Sequence, residues 1–70
     1  MEFQINTLAH STVDGREVWL YQIVAPIGKI HVLDYQQKNQ AIKRKIYDEQ
    51  ESRAEKDYVA IITKIAAGRL

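Results

Sequence analysis

Arg16-Glu17-Val18-Trp19-Leu20-Tyr21-Gln22-Ile23-Val24-Ala25 is the stretch that decides the fold. Val18, Trp19, Leu20, Tyr21, Ile23 and Val24 crowd β-branched and aromatic side chains together, with only Gln22 interrupting. That is the composition of a central strand buried on both faces. A strand of this kind needs a neighbour on each side.

The upstream neighbour is announced by Val13-Asp14-Gly15-Arg16. Asp-Gly tolerates positive φ at both central positions of a type I′ turn, the tightest hairpin connection. Before it, Met1 to Val13 alternates loosely, with Phe3, Ile5, Thr7 and Ala9 on one parity and Gln4, Asn6, Leu8 and His10 on the other. A half-exposed strand has this pattern. A two-residue turn sets Val13 against Arg16 and predicts the pairs Ser11 with Val18, His10 with Trp19, Ala9 with Leu20, Leu8 with Tyr21, Asn6 with Ile23 and Ile5 with Val24.

Downstream, Pro26-Ile27-Gly28 suits a three-residue loop, with proline opening a type I turn and glycine forming the bulge. That loop predicts Val24 against Ile30, Ile23 against His31, Gln22 against Val32, Tyr21 against Leu33 and Trp19 against Tyr35. One sheet face would then hold Phe3, Ile5, Ala9, Val18, Leu20, Val24, Ile30 and Val32. The other would hold Leu8, His10, Trp19, Tyr21, Ile23, His31, Leu33 and Tyr35. Both are apolar enough to need cover.

Asp34 followed by Gln37 resembles a capping box, and helix formers continue from there to Ala67 before Gly68 offers a stop. Unbroken, this helix would be about 48 Å long, against roughly 27 Å for an eight-residue strand. Its apolar phase also shifts: Tyr35, Ile42 and Ile46 share one side, whereas Tyr47, Ala54, Tyr58, Ile61 and Ile65 share another roughly 100° away. Between them Asp48 to Asp57 is almost wholly charged, and Ser52-Arg53-Ala54-Glu55 is a second possible capping box. Two arrangements satisfy the pattern: a break near Asp48 to Ser52 into two helices, or one long helix serving two neighbours. The fold expected is α+β, a three-stranded antiparallel β-meander followed by a long or broken C-terminal α-helix, in one β-β-β-α domain over residues 1–70.

With 70 residues, the core alone supplies only ~3 to 5 kcal/mol of net stability, so such chains usually add a supplement. The absence of cysteine excludes disulfides and the usual zinc frameworks, which leaves association with another chain. A hydrophobic content of 46% and only three glycines and one proline describe a globular chain. The formal charge of +1 provides no long-range field toward nucleic acid or an acidic membrane. No apolar run approaches the ~20 residues of a membrane span, and the N-terminus, with Glu2 and alternating polar residues, lacks a signal-peptide layout. A soluble, cytoplasmic protein with no membrane partner is expected.

The candidate chemistry is sparse. His10 and His31 would lie on one face, on strands flanking the central one and offset by several residues, as polar rim groups without a catalytic or metal partner. Asp48, Glu49, Glu51, Glu55 and Asp57 alternate with Lys43, Lys45, Arg53 and Lys56 as on a solvated helix face, with Glu49 and Arg53 at an i to i+4 spacing. No phosphate-binding loop, nucleophile elbow or metalloprotease motif occurs, so neither catalysis, cofactor nor metal is expected. Two binding functions remain. The first is a small non-catalytic interaction protein, a homodimer or a regulator or inhibitor of a larger protein, of the size common among phage and mobile-element factors. It would bind through Trp19, Tyr21, Leu33 and Tyr35, since aromatic anchors carry disproportionate binding energy. The second is a nucleic-acid-binding module, in which Lys38, Lys43, Arg44 and Lys45 contact phosphates and the sheet aromatics stack on bases.

Overall fold

A computed structural model describes residues 3–70. Met1 and Glu2, where the expected first strand begins, lie outside the described residues. Among the described residues, four strands, β1 (Gln4–Val13), β2 (Arg16–Ala25), β3 (Gly28–Gln36) and β4 (Ile42–Tyr47), are followed by one helix, α1 (Glu51–Ala66). They form one antiparallel sheet in the order β1-β2-β3-β4. The fold is α+β as expected, but with four strands rather than three and one helix that is neither long nor broken.

The first hairpin forms as its turn residues dictate. Asp14 and Gly15 have φ of 53° and 73°, and Val13 pairs with Arg16. The expected pairs hold as far as Ala9 with Leu20, after which a bulge between Thr7 and Ala9 shifts the register. Thr7 then faces Tyr21 and Ile5 faces Ile23, instead of Leu8 and Val24.

The second hairpin differs by one residue. Pro26 and Ile27 alone make the turn, and Gly28 pairs back with Ala25 as the first residue of β3. Because side chains alternate along a strand, that one-residue difference exchanges every β3 side chain between faces. Leu33 pairs with Leu20 and Tyr35 with Val18, while Val32 and Ile30 move to the side of Tyr21 and Ile23.

The expected first half of the helix is strand. Ile42 and Ile46 are four apart, a spacing that places two residues on one side of a helix and equally on one side of a strand. The turn before them decides the matter. Gln40 adopts φ 68°, the Gln37 amide donates to the Ala41 carbonyl at 2.8 Å, and the Asn39 side chain accepts from the Ala41 amide at 3.0 Å. This reverses the chain, so that Ile42 pairs with Gln36 and β4 runs back along β3. The helix then begins at Glu51 behind Gln50, which makes no side-chain cap bond, so the box predicted at Ser52 does not form. At its other end Gly68, at φ 70°, donates to Ile65 and Arg69 donates to Lys64, a Schellman stop.

The core lies between α1 and one side of the sheet. Val18, Leu20, Leu33, Tyr35 and Tyr47 meet Ala54, Tyr58, Ile61 and Ile65, with Ala9, Val13, Ile62 and Leu70 packed at the margins. Polar groups that enter this layer are bonded there. Arg16 donates to the Leu70 carbonyl at 2.6 Å, Ser11 and Tyr58 share a hydrogen bond of 2.6 Å, and the Tyr47 hydroxyl donates to Asp57 at 2.6 Å. Burial, and then the Asp57 carboxylate, push the Tyr47 hydroxyl up to about 12.

Candidate interaction surface

Helix α1 covers one side of the sheet only. The other side is ordered in cross-strand rows that grow more apolar from one end to the other. The first row ends on Gln36 and Ile42 and begins with Thr12 and Glu17, the Glu17 amide donating to the Gln36 side chain at 2.9 Å. The second is His10, Trp19, Asp34 and Arg44; the third is Thr7, Tyr21, Val32 and Ile46; the last is Ile5, Ile23 and Ile30. Ile5, Ile42 and Ile46 are 60%, 66% and 64% exposed, and Trp19 36%.

The second row is rigid. His10 stacks on Trp19 with ring centroids 3.6 Å apart and planes at 12°, and its Nε2 lies 3.0 Å from Glu17 Oε1. Arg44 grips Asp34 with both Nε and Nη2, at 2.8 and 2.9 Å, and Tyr21 donates its hydroxyl to the same carboxylate at 2.7 Å. The Arg44 hydrogen bond holds the Asp34 carboxyl below the usual carboxylate range in spite of burial. Burial, and then Asp34, raise the Tyr21 hydroxyl. Between Trp19 and Ile42 lies a hollow of about 260 Å³, also lined by Glu17, Tyr21, Asp34 and Gln36. It is smaller than the ~300 to 1,000 Å³ of drug-sized ligand sites, the scale of one inserted side chain.

The four aromatic and apolar residues expected to form one patch are divided by the β2–β3 register. Trp19 and Tyr21 stand on the open face, whereas Leu33 and Tyr35 are buried under α1. The basic set is divided as well. Lys43 and Lys45 pair with Tyr35 and Leu33 on the helix side, Arg44 points to the open side, and Lys38 sits in the turn. Lys43, Arg44 and Lys45 belong to an edge strand, and Lys38 to the turn before it, rather than to the start of a helix.

The histidines part company too. His10 is on the open face, while His31 is on the helix side and only 1% exposed. The Asn6 side chain donates to Gln22 Oε1 at 3.4 Å, which turns Gln22 Nε2 toward His31 Nε2 at 3.1 Å. His31 Nδ1 donates to the Asp48 carbonyl at 2.8 Å. His31 is thus a structural joint between the sheet and the connection into α1. Glu49 precedes α1, so it forms no helical pair with Arg53, which donates to Gln50 at 3.3 Å.

Sequence reasoning placed Ile23 beside Trp19 but missed Ile30, Val32, Ile42 and Ile46 as members of that surface. The two-residue reach of Pro26-Ile27 and the turn-forming Asn39 are the signals that bring them there. Among the described residues, no helix is long and apolar enough to cross a membrane. No family model, curated protein or solved structure matches the chain.

Proposed function

We propose that the chain is a non-catalytic protein-interaction module that docks another protein chain through the uncovered face of its sheet. The observation that carries this is the row order of that face: four isoleucines, Tyr21 and Val32 grade into a rigid His10, Trp19, Asp34 and Arg44 row. Apolar centres flanked by fixed polar groups and an aromatic anchor are what protein interfaces require.

The ionisable groups support association over chemistry. Asp34 is held by Arg44 and Tyr21, His10 is stacked and bonded to Glu17, and His31 has both nitrogens engaged. A general base or nucleophile needs a free lone pair aimed at a substrate, and these are spent on internal bonds. The edges are poor alternatives to the face. Lys43, Arg44 and Lys45 line β4, and a bulge interrupts β1, both of which oppose strand addition.

A photo-reactive side chain placed at Ile46 or at Val59 tests this. Both positions are exposed, one on the open face and the other on the outside of α1. Cross-links to protein are expected from position 46 and not from position 59. Equal yields from both positions, or none from position 46, would defeat the proposal.

A further inference from the structure

We infer that the occupant of the open face is a second copy of this chain, packed face to face about a two-fold axis that runs parallel to the strands between β2 and β3. The inference rests on the open face being the docking surface, and adds the identity and geometry of the partner.

Shape is the first argument. The radius of gyration is 12.6 Å, against about 11 Å for a compact domain of this length. The molecule is a slab, with extents of 40 × 21 × 15 Å and a helix on one side only. A second slab on the bare side gives a helix, sheet, sheet, helix sandwich, in which both sheet faces are covered. Strands of 10, 10, 9 and 6 residues at ~3.3 Å per residue, lying ~4.8 Å apart, make a face on the order of 500 to 600 Å² in plan. Side-chain relief brings that toward the ~600 to 1,000 Å² per partner that stable interfaces bury.

Self-complementarity is the second. A two-fold axis along the strands lays β1 over the partner's β4 and β2 over the partner's β3, and keeps each row opposite itself. The row Ile5, Ile23 and Ile30 meets its own copy, and Tyr21 meets Val32. An in-plane axis across the strands would instead press Asp34 onto Val32, Arg44 onto Ile46 and Glu17 onto Ile23, and burying charge against alkyl groups is costly. In the favoured arrangement Trp19 of each copy stands over Asp34 of the other, at the mouth of the side-chain-sized hollow. Arg44, whose side chain is 59% exposed even while paired with Asp34, faces His10 of the other copy and, diagonally, the Glu17 carboxylate that lies 3.0 Å from that His10 Nε2. A positive group at one corner of the face therefore meets a negative one across the axis, twice.

The test is the mass of the purified chain in solution from nanomolar to high micromolar concentration, for the wild type and for Ile46→Lys, Glu17→Lys and Val59→Lys, with far-UV circular dichroism as the check on folding. The wild type is expected to reach twice its 8.1 kDa mass. Ile46→Lys, which sets an ammonium group inside the interface, should weaken the dimer by at least about tenfold, and Glu17→Lys, which faces Arg44 with like charge, should also weaken it. Val59→Lys should leave it unchanged. Should Ile46→Lys misfold, Glu17→Lys on the exposed rim decides. A dimer that survives both open-face substitutions, or one lost through Val59→Lys, would overturn the inference. So would a monomer at every concentration. In that last case, cross-links from position 46 to a foreign chain keep the open face as a docking surface, and their absence removes both.

Discussion

On the helix side of β2, Val18 and Leu20 are sealed against Ala54, Tyr58, Ile61 and Ile65; one residue away along the same strand, Trp19 and Tyr21 stand on a face that no element among the described residues covers. The two faces have similar apolar content, so hydrophobicity alone does not separate them. What separates them is how their polar groups are used. On the helix side, Ser11, Arg16, His31 and Tyr47 bond to α1 or to the segments flanking it, tying the two layers together. On the open side, Asp34, Arg44, Tyr21, His10 and Glu17 bond to one another, which stiffens a surface without closing it. One face is built to hold the chain together and the other to be held by something else.

That contrast is broken most directly by truncation. Leu20→Ala removes a buried side chain at the centre of the covered face and should cost about 2 to 5 kcal/mol, comparable with the stability of so small a domain. Ile46→Ala on the open face should change the stability of dilute monomer by no more than about 0.5 kcal/mol. Denaturant midpoints measured at low concentration compare the two. A small loss for Leu20→Ala and a large one for Ile46→Ala would show that the faces have been assigned the wrong way round.

The hairpin turn that keeps the faces apart comes next. Gly15 has φ 73°, where a side chain is strained although the space beside it is open. Gly15→Val should therefore destabilise by roughly 1 to 2 kcal/mol through backbone strain and not through a clash. An unmoved urea midpoint would mean that the turn does not set the register of β1 on β2.

The β1–β2 hairpin was legible because Asp-Gly has one strong meaning, and the later stripe Ala54, Tyr58, Ile61 and Ile65 was legible because its period fits only a helix. Two other segments were not. Pro26-Ile27-Gly28 accommodates a two- or a three-residue connection, and the choice between them moves Leu33 and Tyr35 from one face to the other. Ile42 and Ile46, with Lys43, Arg44 and Lys45 between them, satisfy helix and strand spacing alike. The turn over residues 37–41, which folds them back onto β3, is what resolves them. The candidate surface was half legible for the same reason. Trp19, Tyr21 and Ile23 depend on β2 alone, whereas Ile30 depends on the β2–β3 register, and Ile42 and Ile46 depend on that register and on the β3–β4 pairing.

A smaller effect probes the covered face through its polar groups. The Tyr47 hydroxyl titrates near 12 in the folded protein, against about 10 when unfolded. A raised value means that its contribution to stability is complete below pH 10 and is lost as pH climbs from about 10 to 12. Tyr47→Phe should cost about 1 kcal/mol at neutral pH and flatten the fall in stability across that alkaline window. Part of the slope will remain, since the Tyr21 hydroxyl on the open face is also raised. An alkaline unfolding profile identical to the wild type would mean that the Tyr47 to Asp57 bond does not tie the edge strand to the helix.

The isoleucine methyl groups offer the sharpest separation of the two faces, because nature has distributed them as probes. Ile5, Ile23, Ile30, Ile42 and Ile46 stand on the open face, Ile61 and Ile65 lie in the core, and Ile27 tips the β2–β3 turn. In methyl NMR spectra of the isolated chain recorded across a concentration series, the resonances of Ile23, Ile30 and Ile46 should shift most as the chain associates. Those of Ile61, Ile65 and Ile27 should stay in place. Shifts confined to Ile27 or to the helix, or open-face resonances that never move with concentration, would contradict the claim that a second copy docks on the uncovered sheet.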